Sequence, residues 1–208
     1  MKHLLFTLFL SISIITFSQS PFYAGVKGGY MFNGKVQFVE GVVDLGNTPT
    51  YGITLGFRSE SYYGFEFNYV GGINGDLSFR GNILSGYNDF ETSLNIHHFS
   101  LDYKNYFDNG SAVKPFVKIG SGASFFDILE DNVNDPLRFS INIGAGIFVE
   151  LTDFLALQFD FTYIAPLVYE GVGIHAGIGT GGVNGGLSLN ASAPLAEFNT
   201  AAGILLRF

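Results

Sequence analysis

The sequence contains no cysteine and no tryptophan, and only 13% of its 208 residues are charged. The missing cysteine excludes disulfide staples, thiolate metal sites and a lipid attached through a cysteine. With 47% hydrophobic residues, the scarcity of charge also excludes a disordered chain. Beyond residue 18 no apolar run approaches the roughly 20 residues that a membrane-spanning helix needs. Cations are outnumbered, 10 Lys and Arg against 18 Asp and Glu, and the net charge of −8 repels nucleic acid phosphates. What the chain has in quantity is 28 Gly, 23 Phe and 11 Tyr. They are spread evenly, with no linker-like shift in composition, so one domain is expected after the leader.

The leader is residues 1–18: Lys2 and His3 make a basic start, and Leu4 to Phe17 an apolar stretch ending in small polar residues. This is the pattern of a secretory signal. Cleavage is expected before Gln19, because cutting after Ser20 would leave Pro21 at the new N-terminus. Residues 19–208 then form the mature domain.

Eight segments of that domain alternate apolar and polar residues with a period of two, at 22–32, 50–58, 63–69, 92–107, 115–125, 138–150, 155–163 and 198–208. Most are close to the ~9 to 11 residues of a tilted membrane strand. Leu155, Leu157, Phe159, Phe161 and Tyr163 oppose Ala156, Gln158, Asp160 and Thr162; Tyr51, Ile53, Leu55 and Phe57 oppose Gly52, Thr54, Gly56 and Arg58. No Lys, Arg, Asp or Glu falls on the apolar face of any segment. A charge on a lipid-facing midplane costs roughly 2 to 4 kcal/mol, so this absence is what a membrane wall requires. A soluble barrel would be apolar inside instead. The predicted fold is all-β, an eight-stranded antiparallel transmembrane up-and-down β-barrel.

The opposite face carries Lys27, Arg58, Lys104, Lys118, Arg138 and Arg207 together with Glu66, Asp102, Glu150, Asp160 and Glu197. Such a near-balance of charge in a bore only wide enough for side chains predicts a plugged lumen that conducts little. Glycines on the same face leave room for the long side chains to cross. Connections after the second, fourth and sixth segments are short, whereas 33–49, 71–91, 126–137 and 165–194 are long. That alternation puts both termini in the periplasm. The last connection is long enough for another hairpin, which leaves ten strands open.

Residues that could carry chemistry are few. His98, Ser100 and Asp102 share an inner face, but Ser stands in the middle, where a hydrolytic triad needs the imidazole. Alternate residues lie ~6.6 Å apart along a strand, which separates His98 from Asp102 by roughly 13 Å. Gly177, Gly179 and Gly182 fit GxGxxG without a strand-to-helix context. Asp127, Glu130, Asp131, Asn132, Asn134 and Asp135 offer oxygen ligands but lack the spacing and central glycine of a calcium loop. No cofactor, metal site or catalytic residue is expected.

The chain ends in FNTAAGILLRF. Gly203, Leu206 and the terminal Phe208 resemble the C-terminal assembly signal of Gram-negative outer-membrane β-barrels, with Ala201 where those proteins usually carry a polar residue. Taken whole, Phe22 to Phe208 resembles the small OmpX- and OmpA-type barrels and, more closely, the PorT-like outer-membrane β-barrel proteins. The resemblance implies an integral outer-membrane protein, non-enzymatic, in contact with outer-membrane lipids and lipopolysaccharide and inserted by the barrel assembly machinery. External loops would bind or shield. Two other readings stand beside this one: passage of small solutes through a narrow pore or a lateral opening, and lipid A modification, for which only His97, His98 and His175 speak.

Overall fold

The computed structural model describes residues 21–37, 41–59, 62–81, 89–107, 110–129, 137–179, 182–192 and 196–208. The leader assigned to residues 1–18 lies outside them. Eleven strands follow in order: β1 Phe22–Phe32, β2 Lys35–Gln37, β3 Gly41–Leu45, β4 Thr48–Arg58, β5 Tyr63–Gly81, β6 Phe90–Tyr106, β7 Val113–Ile128, β8 Leu137–Glu150, β9 Leu155–Gly179, β10 Gly182–Ser192 and β11 Glu197–Arg207. Eight of them, β1, β4, β5, β6, β7, β8, β9 and β11, pair in a ring that closes on itself, every pairing antiparallel. The expected eight-stranded antiparallel barrel is therefore the observed one.

Closure is made by the two terminal strands. Tyr23 faces Arg207, Lys27 faces Gly203 and Phe32 faces Phe198, and the Phe208 amide donates to the Phe22 carbonyl at 3.0 Å. No backbone edge is left open along the wall, which is what a sheet in lipid needs, since nothing there can satisfy unpaired amides. Tight connections at one end join β4 to β5, β6 to β7 and β8 to β9. In one of them Gly110 adopts a φ of 74°, a left-handed conformation that glycine enters without Cβ strain.

The distribution of polarity is inverted relative to a soluble domain. Val26, Phe139 and Phe161 stand outward at 64%, 57% and 56% exposure, whereas Glu66 and Lys104 are 0% exposed inside. Along the closed wall, from the level of Tyr63 to that of His97, the outward positions among the described residues carry no Lys, Arg, Asp or Glu.

Three of the long connections hold structure that the alternation did not show. Strands β2 and β3 form a short hairpin, and β3 adds to the outer part of β5. Strand β5 runs past the wall through an irregularity between Gly72 and Gly75, where Asn74 has a φ of 54°. Strand β9 likewise overshoots and pairs with β10, Gly182 opposite Gly179, in a hairpin off the closed path. The extra hairpin of the 165–194 connection therefore exists without widening the ring to ten strands.

Candidate functional site

The middle of the lumen holds three lysines and three carboxylates. Lys27 Nζ lies 3.0 Å from Glu66 and 2.9 Å from Asp160; Lys104 Nζ lies 2.6 Å from Glu66; Lys118 Nζ lies 3.5 Å from both Asp102 and Asp160. Amides bind the group together. Asn68 donates to Asp102 at 3.0 Å and accepts from Lys27 at 2.9 Å, Asn142 donates to Asp102 at 3.2 Å, and Gln158 donates to Asp160 at 2.8 Å. Each ion is deep in the lumen, where an unpaired charge would cost several kcal/mol, and pairing with equal numbers of the opposite sign offsets part of that cost.

Glycines make the space. In register, Glu66 faces Gly56, Asp102 faces Gly120, Lys118 faces Gly144, Asp160 faces Gly146, and Lys27 has Gly203 on one side and Gly52 on the other. A methyl group added at Gly120 would meet the Asp102 carboxylate, and one at Gly203 would meet the Lys27 side chain at 2.6 Å.

Two further sets of ions lie above and below. At the short-turn rim, Arg58 and Arg207 reach the same Glu150 oxygen at 2.6 and 3.1 Å, and Lys114 stands 3.8 Å from its other oxygen. Strands β4 and β8 are four apart in the ring of eight, so Arg58 crosses the whole bore to reach Glu150. Toward the long-connection end, His98 on β6 contacts Glu197 on β11 at 2.6 Å, again from opposite walls, while its Nδ1 meets Ser124 Oγ at 2.6 Å. Arg138 has no carboxylate partner among the described residues.

The order Ser124, His98, Glu197 is that of a hydrolytic triad, assembled from three strands rather than from the His98, Ser100 and Asp102 row. Yet Ser124 is 0% exposed and Glu197 1%. The Phe126 ring stands edge-on to the imidazole at 6.2 Å. A substrate has no approach to the hydroxyl, and the three residues act as a crossbar through the lumen.

Apolar layers enclose these polar ones. Met31, Leu45, Leu77, Leu94, Ile96, Phe126 and Ile164 pack across the long-connection mouth. Tyr23, Tyr106, Phe116, Phe148, Ala156 and Leu205 form a floor at the other end. Between cap and ions lies a cavity of about 30 Å³, bounded in part by Lys27, Asn68, His98, Asp102, Asn142 and Asp160. A water molecule needs ~10 to 15 Å³ by this measure, so the cavity has room for about two.

No protein-family model matches the sequence, and a search of the curated proteins finds no match. Solved structures do match. The chain is similar to Neisserial surface protein A, with 16% identity and a TM-score of 0.58 over 91% of this chain and 98% of that one. It is similar to the outer membrane protein OprG of Pseudomonas aeruginosa, with 12% identity and a TM-score of 0.59 over 91% and 98%. A major outer membrane protein from Thermus thermophilus matches with 16% identity and a TM-score of 0.55 over 90% and 99%. The fold is that of the small eight-stranded outer-membrane barrels.

Within that fold, sequence reasoning places most of the inward ions and misses others. Lys114 escapes because the fifth segment starts at Pro115, one residue after it. Glu197 and His98 are legible as inward residues but not as partners, since the stagger between strands sets which residues meet across the bore. The cap is missed altogether, because Ile96, Phe126 and Ile164 break the polar-in rule. Gly177, Gly179 and Gly182 fall on the β9–β10 hairpin. Of the acidic stretch, Asp127 accepts from Asn95 at 3.1 Å, and residues 130–135 lie outside the described residues.

Proposed function

We propose that this chain is an integral outer-membrane protein with a plugged lumen, whose work is to bind surface ligands or partners through its long connections. The short-turn end and both termini stand in the periplasm, and the long-connection end faces outward. The observation that carries this reading is the inverted wall: outward positions are mostly apolar and carry no Lys, Arg, Asp or Glu from the Tyr63 level to the His97 level, and the ions are inside. Two of the structural relatives are themselves described as outer membrane proteins.

The plug rests on three cross-bore contacts, Arg58 to Glu150, His98 to Glu197 and Gln158 to Glu66, and on a cavity of only about 30 Å³. Solute passage through the bore would require all three to separate. The same enclosure supports a non-enzymatic protein, since the triad-like set found among the described residues is buried.

Two measurements test the proposal. Purified protein in a planar bilayer should show no steady porin-sized conductance, and a stable open channel would put solute passage first. A deletion strain should change in adhesion or surface binding while permeability to small solutes and lipid A composition stay as they were; a change in permeability or lipid A alone would overturn the surface-binding role.

A further inference from the structure

On the outside of the wall, a cluster of three hydrogen-bonded polar side chains interrupts the apolar band. The Tyr51 and Tyr69 hydroxyls are 3.0 Å apart, and the Tyr69 hydroxyl is 2.9 Å from His97 Nδ1. Gly71 makes this meeting feasible: a Cβ there would lie 2.7 Å from the Tyr69 hydroxyl and 2.8 Å from that of Tyr51. The imidazole is stacked between Tyr69, at 6.0 Å and 14°, and Phe125, at 6.2 Å and 29°. The rings hold it in place, and its Nε2 has no partner among the described residues.

Counting protons shows what the chain offers. Two hydroxyls and one neutral imidazole bring three protons, and the two internal bonds use two of them. If Tyr69 donates to Nδ1, the spare proton is on Nε2; if Nδ1 donates to Tyr69, it is on the Tyr51 hydroxyl. In both directions one donor and one acceptor are left facing out of the barrel. A lone donor in hydrocarbon is costly, so it needs an acceptor supplied by the surroundings.

The depth of the group identifies that acceptor. Tyr63 and Gly71 are eight positions apart on β5. At ~3.3 Å per residue and a tilt of ~40°, this spans roughly 20 Å of an apolar band about 25 Å tall. His97 is level with Gly71 and Phe125, and the next outward pair on the same strands is Asn95 and Asp127, where the uncharged wall ends. The site thus lies just inside the boundary, at the level of acyl linkages rather than of phosphates. A phosphate is also disfavoured by the nearby Asp127 carboxylate.

Resting on the outer-membrane reading above, we propose that Tyr51, Tyr69 and His97 over Gly71 form a boundary-lipid site that hydrogen-bonds an acyl ester or amide carbonyl in the outer leaflet. The rings flank the acyl chain, and the spare proton fixes the carbonyl.

Because the chain contains no tryptophan, Phe99→Trp gives a single local reporter; Phe99 packs 5.0 Å from Tyr69 and lies outside the hydrogen-bonded chain. Quenching of that reporter by brominated lipids, in vesicles of diester or diether phosphatidylcholine with the same chains, measures relative lipid binding beside the site. The diester lipid should be favoured roughly fivefold, the equivalent of one net hydrogen bond. Each single substitution still leaves one proton free, so Tyr51→Phe, Tyr69→Phe and His97→Phe are combined in the Trp background, and the triple variant should reduce the ratio toward one. Equal quenching by the two lipids in the parent, or a preference that survives the triple substitution, overturns the site. So does discrimination that follows headgroup charge in a phosphatidylglycerol arm. Folding is scored separately, by the shifted mobility of unboiled protein on a gel. A parent that does not insert into any vesicle contradicts the outer-membrane reading instead, and if the triple variant does not fold, the diester and diether comparison in the parent decides alone.

Discussion

Replacing Glu66 with Gln should be among the most damaging single changes in the lumen. The carboxylate is 0% exposed and takes Lys104 at 2.6 Å, Lys27 at 3.0 Å and the Tyr23 hydroxyl at 2.7 Å. At an effective dielectric near 20, each ammonium attracts it by roughly 6 kcal/mol, offset by several kcal/mol for taking the carboxylate out of water. Glu66→Gln keeps the shape and removes the charge, so three lysines face two carboxylates and an amide N–H is turned toward an ammonium. The expected loss is about 3 to 5 kcal/mol. Adding Lys104→Met to Glu66→Gln returns the layer to two cations and two anions and should recover most of the loss, because the pair belongs to one network. The assay is a urea titration of folded fraction in lipid vesicles, read by gel mobility. A single variant within about 0.5 kcal/mol of the parent, or a double variant no better than the sum of its parts, would refute the neutral-layer argument.

Other outcomes follow from the same geometry. Phe159→Arg, at mid-wall on the outward face, should cost roughly 2 to 4 kcal/mol, whereas Phe154→Arg in a short turn should cost at most about 1 kcal/mol; equal costs in the same titration would contradict the assigned depth. His98→Leu strands Glu197 in the bore and should lose about 3 to 5 kcal/mol, while His98→Leu with Glu197→Leu should lose much less. Gly146→Val has no room, since its side chain would run into the Phe116 ring and the Phe159 carbonyl. A loss of about 1 to 3 kcal/mol is expected, and an unchanged urea midpoint would count against the close packing.

The wall was legible in the sequence because it is a single layer with different solvents on its two sides. Leu155 to Tyr163 shows this most clearly: lipid demands apolar residues at every second position, and the lumen accepts Gln158 and Asp160 between them. Strand pairing at the seam was equally legible, because a ring in lipid leaves β1 and β11 no partners except each other. Legibility failed where both solvents are alike. Around Ile164 to Leu167 the residues facing the cap and those facing outward are both apolar, so periodicity carries no information about which side is which. The β9–β10 hairpin was hidden for a related reason: beyond the membrane its strands need only pair with each other, and no alternation is imposed on them. The ion pairs were half legible. Composition gave the members, and only the stagger of the strands gives Lys27 to both Glu66 and Asp160.

The layering of the bore has a consequence for where function can lie. An aromatic floor and an apolar cap leave beside the ions a cavity of only about 30 Å³, and in that nearly dry layer each attraction is stronger than it would be in a wide aqueous pore. The contacts also join strands that are not neighbours: Lys27 ties β1 to β5 and β9, Asp102 ties β6 to β8, and Glu197 ties β11 to β6. Opening the bore would therefore mean separating several buried pairs at once, each separation costing about 3 to 5 kcal/mol. The long connections lie outside the ion layer: among the described residues β3 pairs with the outer part of β5 and sends Leu45 into the apolar cap, and β10 pairs with the outer part of β9. The surface-binding role proposed above would draw its variety from those connections and leave the ion layer as it is.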